Sequence, residues 1–167
     1  MPNSLYEMDV VHILMEPPLK WYDGYRDVRV DFDIQSTCRY KNGGHGRVDM
    51  SAHAYLPGKK TGGSFFNFEI KSCRNDLYSN KGLNLFGMYN YIVYPRYPLS
   101  SIPGAIDYGI VSQRLEEIGC QHAGIICIIN GHDYIVERKA KRYYGDGVPP
   151  EIMGYRHKGK FCPAQCT

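Results

Sequence analysis

Asp49 sits in the run Arg47-Val48-Asp49-Met50, and Glu69 in Phe66-Asn67-Phe68-Glu69-Ile70-Lys71, each acid bracketed by apolar residues. Two carboxylates and a lysine on neighbouring strands suit metal-assisted hydrolysis of a phosphodiester. Such esters resist attack because their anionic oxygens repel a nucleophile and the leaving alkoxide is poor. A hard divalent cation answers both problems by polarising the phosphoryl oxygen and acidifying a bound water. Mg²⁺ takes a few carboxylate or carbonyl oxygens and keeps several waters. Asp49 and Glu69 supply two carboxylates, and the backbone carbonyl of Ile70 can supply a third ligand. Lys71 follows Glu69 by two residues, so both point to one strand face. There its ammonium can orient water or stabilise charge on the phosphate. The Glu-x-Lys triplet alone is weak, because exposed strands often carry it as a solvated cross-strand pair.

The elements that must position these groups are readable from periodicity. Ser4 to Met15 reads as a helix, with Ser4 as N-cap and Glu7 at capping-box spacing. Val10, Val11 and Leu14 share a helical face with Glu7, which either caps the helix or points inward toward the acids. Val28 to Ile34 alternates as a half-buried strand. Residues 41–46 form a turn, after which Arg47 to Leu56 places Asp49, Ser51, His53 and Tyr55 on one face. Phe65 to Lys71 is the next strand, with Asn67, Glu69 and Lys71 on its polar face, so the two strands read as a hairpin. A helix follows from Asn75 or Asp76 to about Leu85, weakened by Gly82 and Gly87. Then come a strand from Tyr89 to Tyr94 closed by Pro95, a helix from Asp107 to Ile118 and a buried strand from Ala123 to Ile129. Asn130-Gly131 turns into a last strand from Tyr134 to Glu137. This order predicts an α/β fold, a mixed central sheet flanked by helices. Residues 1–142 form one domain, and 143–167 an irregular tail that packs on it or is flexible.

With 167 residues the chain is long enough for one domain with a sizeable core. No apolar run approaches the ~18 residues of a membrane span, and residues 1–4 lack a signal-peptide pattern. The expectation is an intracellular, cytoplasmic protein whose thiols stay reduced. Cys162 and Cys166, with His157 upstream, faintly resemble metal spacing but lack an obvious fourth ligand. A net charge of +3 permits nucleic-acid binding without arguing for it. Lys41, Arg47, Lys59, Lys60, Arg74, Lys81 and the cluster Arg138-Lys139-Ala140-Lys141-Arg142 could each hold a phosphate or stand solvated. The 15 tyrosines either stack on bases or sit half-buried in the sheet.

The segment Phe68-Glu69-Ile70-Lys71-Ser72-Cys73-Arg74-Asn75-Asp76-Leu77, with Lys81 and Tyr91-Ile92-Val93-Tyr94-Pro95 after it, resembles the PD-(D/E)XK nuclease superfamily. It is closest to small bacterial and phage members. The likeness is close over residues 47–95. It implies a restriction-endonuclease-like core of order αβββαβ, with Mg²⁺ or Mn²⁺ at Asp49 and Glu69 and a catalytic Lys71. Glu7 would match the glutamate that many members contribute from the first helix. Arg74 and Asp76 would match a recurrent pair after the motif, in helix capping or DNA contact. The chain departs from the pattern in lacking a proline before Asp49 and in carrying Cys73 where serine is common. His45 and His53 are tempting general bases, but a superfamily site needs none, and His53 stands as a site neighbour. The resemblance thus implies a metal-dependent DNA nuclease, for which a homodimer would suit double-strand cleavage. Two rivals keep the fold without cutting: a nucleic-acid binder, and a regulator or inhibitor acting through protein contact.

Overall fold

The structure is a computed structural model. It describes residues 3–24, 29–39, 45–59, 63–79, 83, 85, 87–96, 104–131, 133–143 and 159–160, with backbone alone at 3–7, 33, 35–39, 45–46 and 159–160. Helix α1 (Asn3–Met15) leads into strands β1 (Val30–Arg39), β2 (His45–Ala54) and β3 (Ser64–Ile70). Helix α2 (Arg74–Tyr78), strand β4 (Tyr89–Pro95) and helix α3 (Tyr108–Glu117) follow. Strands β5 (Gly124–Asn130), β6 (Asp133–Arg138) and the two-residue β7 (Gly159–Lys160) complete the order. The product is an α/β protein with one mixed sheet, ordered β6-β5-β4-β3-β2-β1-β7, and three helices among the described residues.

Strands β3, β4 and β5 run parallel, and their neighbours β2 and β6 run antiparallel to them. The carboxyl ends Ile70, Pro95 and Asn130 therefore share one edge of the sheet. The amino ends Ser64, Tyr89 and Gly124 share the other, joined there by Ala54 and Arg138, where β2 and β6 finish.

Each face of the sheet has its own core. On one, Val10, Val11 and Leu14 of α1 and the ring of Trp21 pack with Met50, Phe68, Ile70, Val93 and Ile126. On the other, Leu77 of α2 and Val111 and Leu115 of α3 meet Ile92, Tyr94 and Ile125. Burying each of these side chains contributes about 1.5–3 kcal/mol. Asp107 caps α3 by accepting from the Ile110 N–H at 2.9 Å, and Gly119 stops it with a positive φ of 71°.

Three expectations change. Strand β1 runs on to Arg39, because Ser36, Thr37, Cys38 and Arg39 pair with Val48, Arg47, Gly46 and His45 although they do not alternate. Helix α2 ends at Tyr78 instead of reaching Leu85. Ser79 is extended, and its hydroxyl donates to the Asp76 carbonyl at 2.9 Å, a local bond that competes with the helical ladder. The tail is not wholly irregular, since Gly159 and Lys160 pair with Phe32 and Asp31. His157, Cys162 and Cys166 lie outside the described residues. Among the described residues, no helix is long and apolar enough to cross a membrane.

Candidate metal and phosphodiester site

The antiparallel register joins Met50 to Phe68 and Ser51 to Asn67. Pairing ends there, and the next residue of each strand, Asp49 and Glu69, falls by alternation on the same sheet face. Asn90, which pairs with Asn67, lies on that face too. Ser51, Asn67, Glu69, Lys71 and Asn90 are all buried, so the sheet carries a polar stripe under cover.

The hairpin forks at the acids. Lys71 N–H donates to the Val93 carbonyl on β4 at 2.9 Å, so the Ile70 N–H points the other way, toward β2. Register would give it the Val48 carbonyl. Instead it donates to Asp49 Oδ2 at 2.7 Å. A side chain thus stands in for a backbone acceptor where β2 leaves β3. The Ile70 carbonyl lies on the same strand edge as its N–H and so faces the fork. A carboxylate has about four lone-pair positions, and this bond uses one.

Lys71 is 5% exposed, and Glu69 is 2% exposed. Charges so deep are costly unless paired. Lys71 Nζ lies 3.7 Å from Asp76 Oδ1, while Asp76 Oδ2 accepts from the Ser72 N–H at 3.0 Å and lies 3.5 Å from the Ser72 hydroxyl. Asp76 is the third residue of α2, so its charge also suits the helix's amino end. One carboxylate thereby fixes the start of α2 and faces the lysine. The sequence offered Asp76 only as a cap or DNA contact; its position five residues after Lys71, across a turn, hides the pairing.

The structure therefore joins Asp49 to Ile70, which lies between Glu69 and Lys71 at the carboxyl edge. Arg47 is exposed two residues before Asp49, and Arg74 is exposed in the first turn of α2. The Arg74 N–H donates to the Gly104 carbonyl at 2.8 Å, and its guanidinium lies 5.5 Å from the Tyr78 ring centre. The backbone of Glu7 belongs to α1, whose Val10, Val11 and Leu14 pack on the face opposite Glu69; its side chain is not among those described. Lys81 lies outside the described residues. His53 is buried between the rings of Tyr55 at 3.8 Å and Phe65 at 4.0 Å, which makes it a packed ring on the stripe.

The basic cluster is elsewhere. Strand β6 returns its carboxyl end to the amino edge, so Arg138 and Lys139 sit at the opposite end of the strands from Glu69. The Arg138 guanidinium donates to the Ala123 carbonyl at 3.1 and 2.9 Å and to the Ser112 hydroxyl at 3.3 Å. Lys139 Nζ donates to the Lys20 carbonyl at 2.9 Å and to Asp23 Oδ1 at 2.8 Å. Both tie the amino edge together.

As a donor set, Asp49, Glu69 and the Ile70 carbonyl are hard oxygens of the kind Mg²⁺ or Mn²⁺ accepts, and so few protein ligands leave room for water and substrate. No group of three or more His, Cys, Asp or Glu side chains gathers among the described residues, so a softer, protein-filled centre has no counterpart there. Cys73, Cys120 and Cys127 are free thiols, and burial pushes those of Cys120 and Cys127 up, away from the reactive thiolate. A search across protein families, curated proteins and solved structures finds no match to this chain.

Proposed function

We propose that this chain is a metal-dependent nuclease that hydrolyses DNA phosphodiester bonds on a restriction-endonuclease-like core. The observation that carries the reading is the fork, where Asp49 replaces a strand carbonyl in holding the Ile70 N–H, between buried Glu69 and Lys71. The element order α-β-β-β-α-β and the position at the carboxyl ends of parallel strands are consistent with it.

Mg²⁺ or Mn²⁺ held by Asp49, Glu69 and the Ile70 carbonyl would supply Lewis acidity toward the phosphoryl oxygen and an acidified water. The protein's own groups do the rest. The Ile70 N–H fixes the rotamer of Asp49 and so its second oxygen. Lys71, screened from solvent and steadied by Asp76, directs positive charge at the phosphoryl group or orients the attacking water. Burial strengthens that effect, since a charge in a low-dielectric site acts more strongly than one in water. Arg47 and Arg74 are exposed close by and offer contacts to flanking phosphates.

The test is incubation with linear, circular and single-stranded DNA in Mg²⁺, in Mn²⁺ and in excess chelator. Cleavage with either cation and none in chelator is expected. Undiminished cleavage by an Asp49→Ala/Lys71→Ala double variant would remove the proposal. DNA retained intact under every metal condition would point instead to the non-cleaving binder.

A further inference from the structure

A cavity of about 290 Å³ opens at the amino edge on the α1 side of the sheet, remote from the acids in both edge and face. Its walls include Trp21, Tyr22, Phe66, Tyr89 and Tyr91, with Lys139 at the rim. We propose that this cavity takes one unpaired nucleobase of a single-stranded nucleic acid, with the adjoining phosphates held by Lys139, Lys141 and Arg142.

The rings are held firmly. Trp21 Nε1 donates to the Leu14 carbonyl at 2.8 Å, and its ring meets Phe66 edge-on with centroids 4.9 Å apart. Phe66 and Tyr89 stack at 5.1 Å, and the Tyr91 hydroxyl donates to the Trp21 carbonyl at 3.4 Å. Tyr22 and Tyr89 are half-buried, so each also presents surface to solvent. Trp21, Phe66 and Tyr91 are buried and fix the floor, so the half-buried Tyr22 and Tyr89 are the rings that meet the base, and stacking accepts any base. The volume is just below the roughly 300–1,000 Å³ of small-molecule sites, enough for a flat ring but not for a folded strand. Ser64 and Asp23 on the lining supply polar groups for a base edge.

The sugar-phosphate chain must then run outside, and cations wait there. Lys139 is 47% exposed despite its bond to Asp23, and Lys141 and Arg142 are exposed. Arg142 is positioned by Met88, next to Tyr89, with Nη1 2.9 Å from Met88 Sδ. From the rim at Lys139 the basic segment is pinned along the amino edge, where the Lys141 N–H donates to the His122 carbonyl and the Tyr143 N–H to the Met88 carbonyl, each at 2.8 Å. Aromatic faces beside a line of cations are what a single strand requires, whereas a duplex keeps its bases stacked and would meet only the cations.

Trp21 is the only tryptophan in the chain, so its emission reports directly on the cavity. A single-stranded thymidine oligonucleotide is titrated in excess chelator, beside an abasic strand of equal length. The oligonucleotide should change the emission saturably and bind about tenfold more tightly than the abasic strand. Tyr22→Leu should remove most of that preference. So should Gly24→Ala, whose new Cβ would lie 1.9 Å from Tyr22 Oη and push the ring aside without truncating it. Equal affinity for the two strands, or binding that leaves the emission unchanged, overturns the proposal. Because no metal is present, a protein that fails to cleave can still pass this test, and one that cleaves can fail it.

Discussion

At the carboxyl edge, Glu69, Ile70, Lys71 and Asp76 come from one short stretch of chain, with Asp49 added from the adjoining strand. At the amino edge, the rings come from three separate places, the segment after α1, β3 and β4, and the cations from a fourth, the chain after β6. The first region buries Glu69 and Lys71 and holds its charges with hydrogen bonds and an ion pair. The second buries Trp21, Phe66 and Tyr91, half-buries Tyr22 and Tyr89, and leaves its cations largely in solvent. Damage to the first should therefore appear as lost chemistry in a folded protein. Damage to the second should appear first as lost stability.

The largest expected effect tests that division. Lys71→Ala or Asp49→Ala should lower Mg²⁺-dependent cleavage at least about 100-fold, as removal of a charge-stabilising group does. Circular dichroism should show both variants folded; loss of structure in step with activity would erase the contrast. Trp21→Ala should cost about 3–5 kcal/mol in urea unfolding, because it empties a well-packed site. The same variant, at a temperature where it is folded, should cleave a duplex as wild type does.

Asp76 sharpens the comparison from within the carboxyl edge. Asp76→Ala removes the acceptor for Ser72 N–H and should cost about 1 kcal/mol, the scale of a helix cap. Asp76→Asn keeps an acceptor oxygen but loses the charge facing Lys71, so its cleavage should fall further than its stability. Wild-type cleavage by Asp76→Asn would reduce Asp76 to a cap.

The smallest effect belongs to the amino edge. Burial, aided by the nearby Arg138 charge, lowers the pKa of His122 below its ordinary value, against the opposing effect of its bond to Leu85. Its Nε2 lies 3.1 Å from the Leu85 carbonyl, an acceptor only, so that nitrogen carries the proton of the neutral ring. The unfolded state then binds the proton more readily. Stability from this group is complete above about pH 6.5 and declines as pH falls through that value toward the lower folded pKa. Melting curves between about pH 7.5 and pH 5 should show this slope, and His122→Gln should flatten it.

What the sequence made legible follows the same divide. Alternation found β2 and β3 and gave Glu69 and Lys71 a common face, because a half-buried strand writes its geometry at every second residue. The fork was not written there. It depends on where β2 parts from β3, and only the folded chain reveals that Asp49 accepts from Ile70. The length of β1 was hidden because Ser36, Thr37 and Cys38 carry no alternating pattern. The basic run from Arg138 to Arg142 was plain, but its edge was set by β6 running back along β5. The aromatic cavity left no local trace, since Trp21 and Tyr89 meet only through Phe66 between them.

The bond from Ile70 to Asp49 has a consequence for how fast one proton is lost to solvent. Neighbouring amides such as Lys71 N–H are held by backbone carbonyls, so deuterium reaches them only when the sheet opens. The Ile70 amide is held by a side chain that is partly exposed, and a rotation of Asp49 frees it while both strands stay in place. Its exchange should be the fastest in β3, at a rate set by side-chain motion. A cation that engages Asp49 would slow that rotation. Protection of this single amide would then count the fraction of molecules carrying metal, with no substrate present.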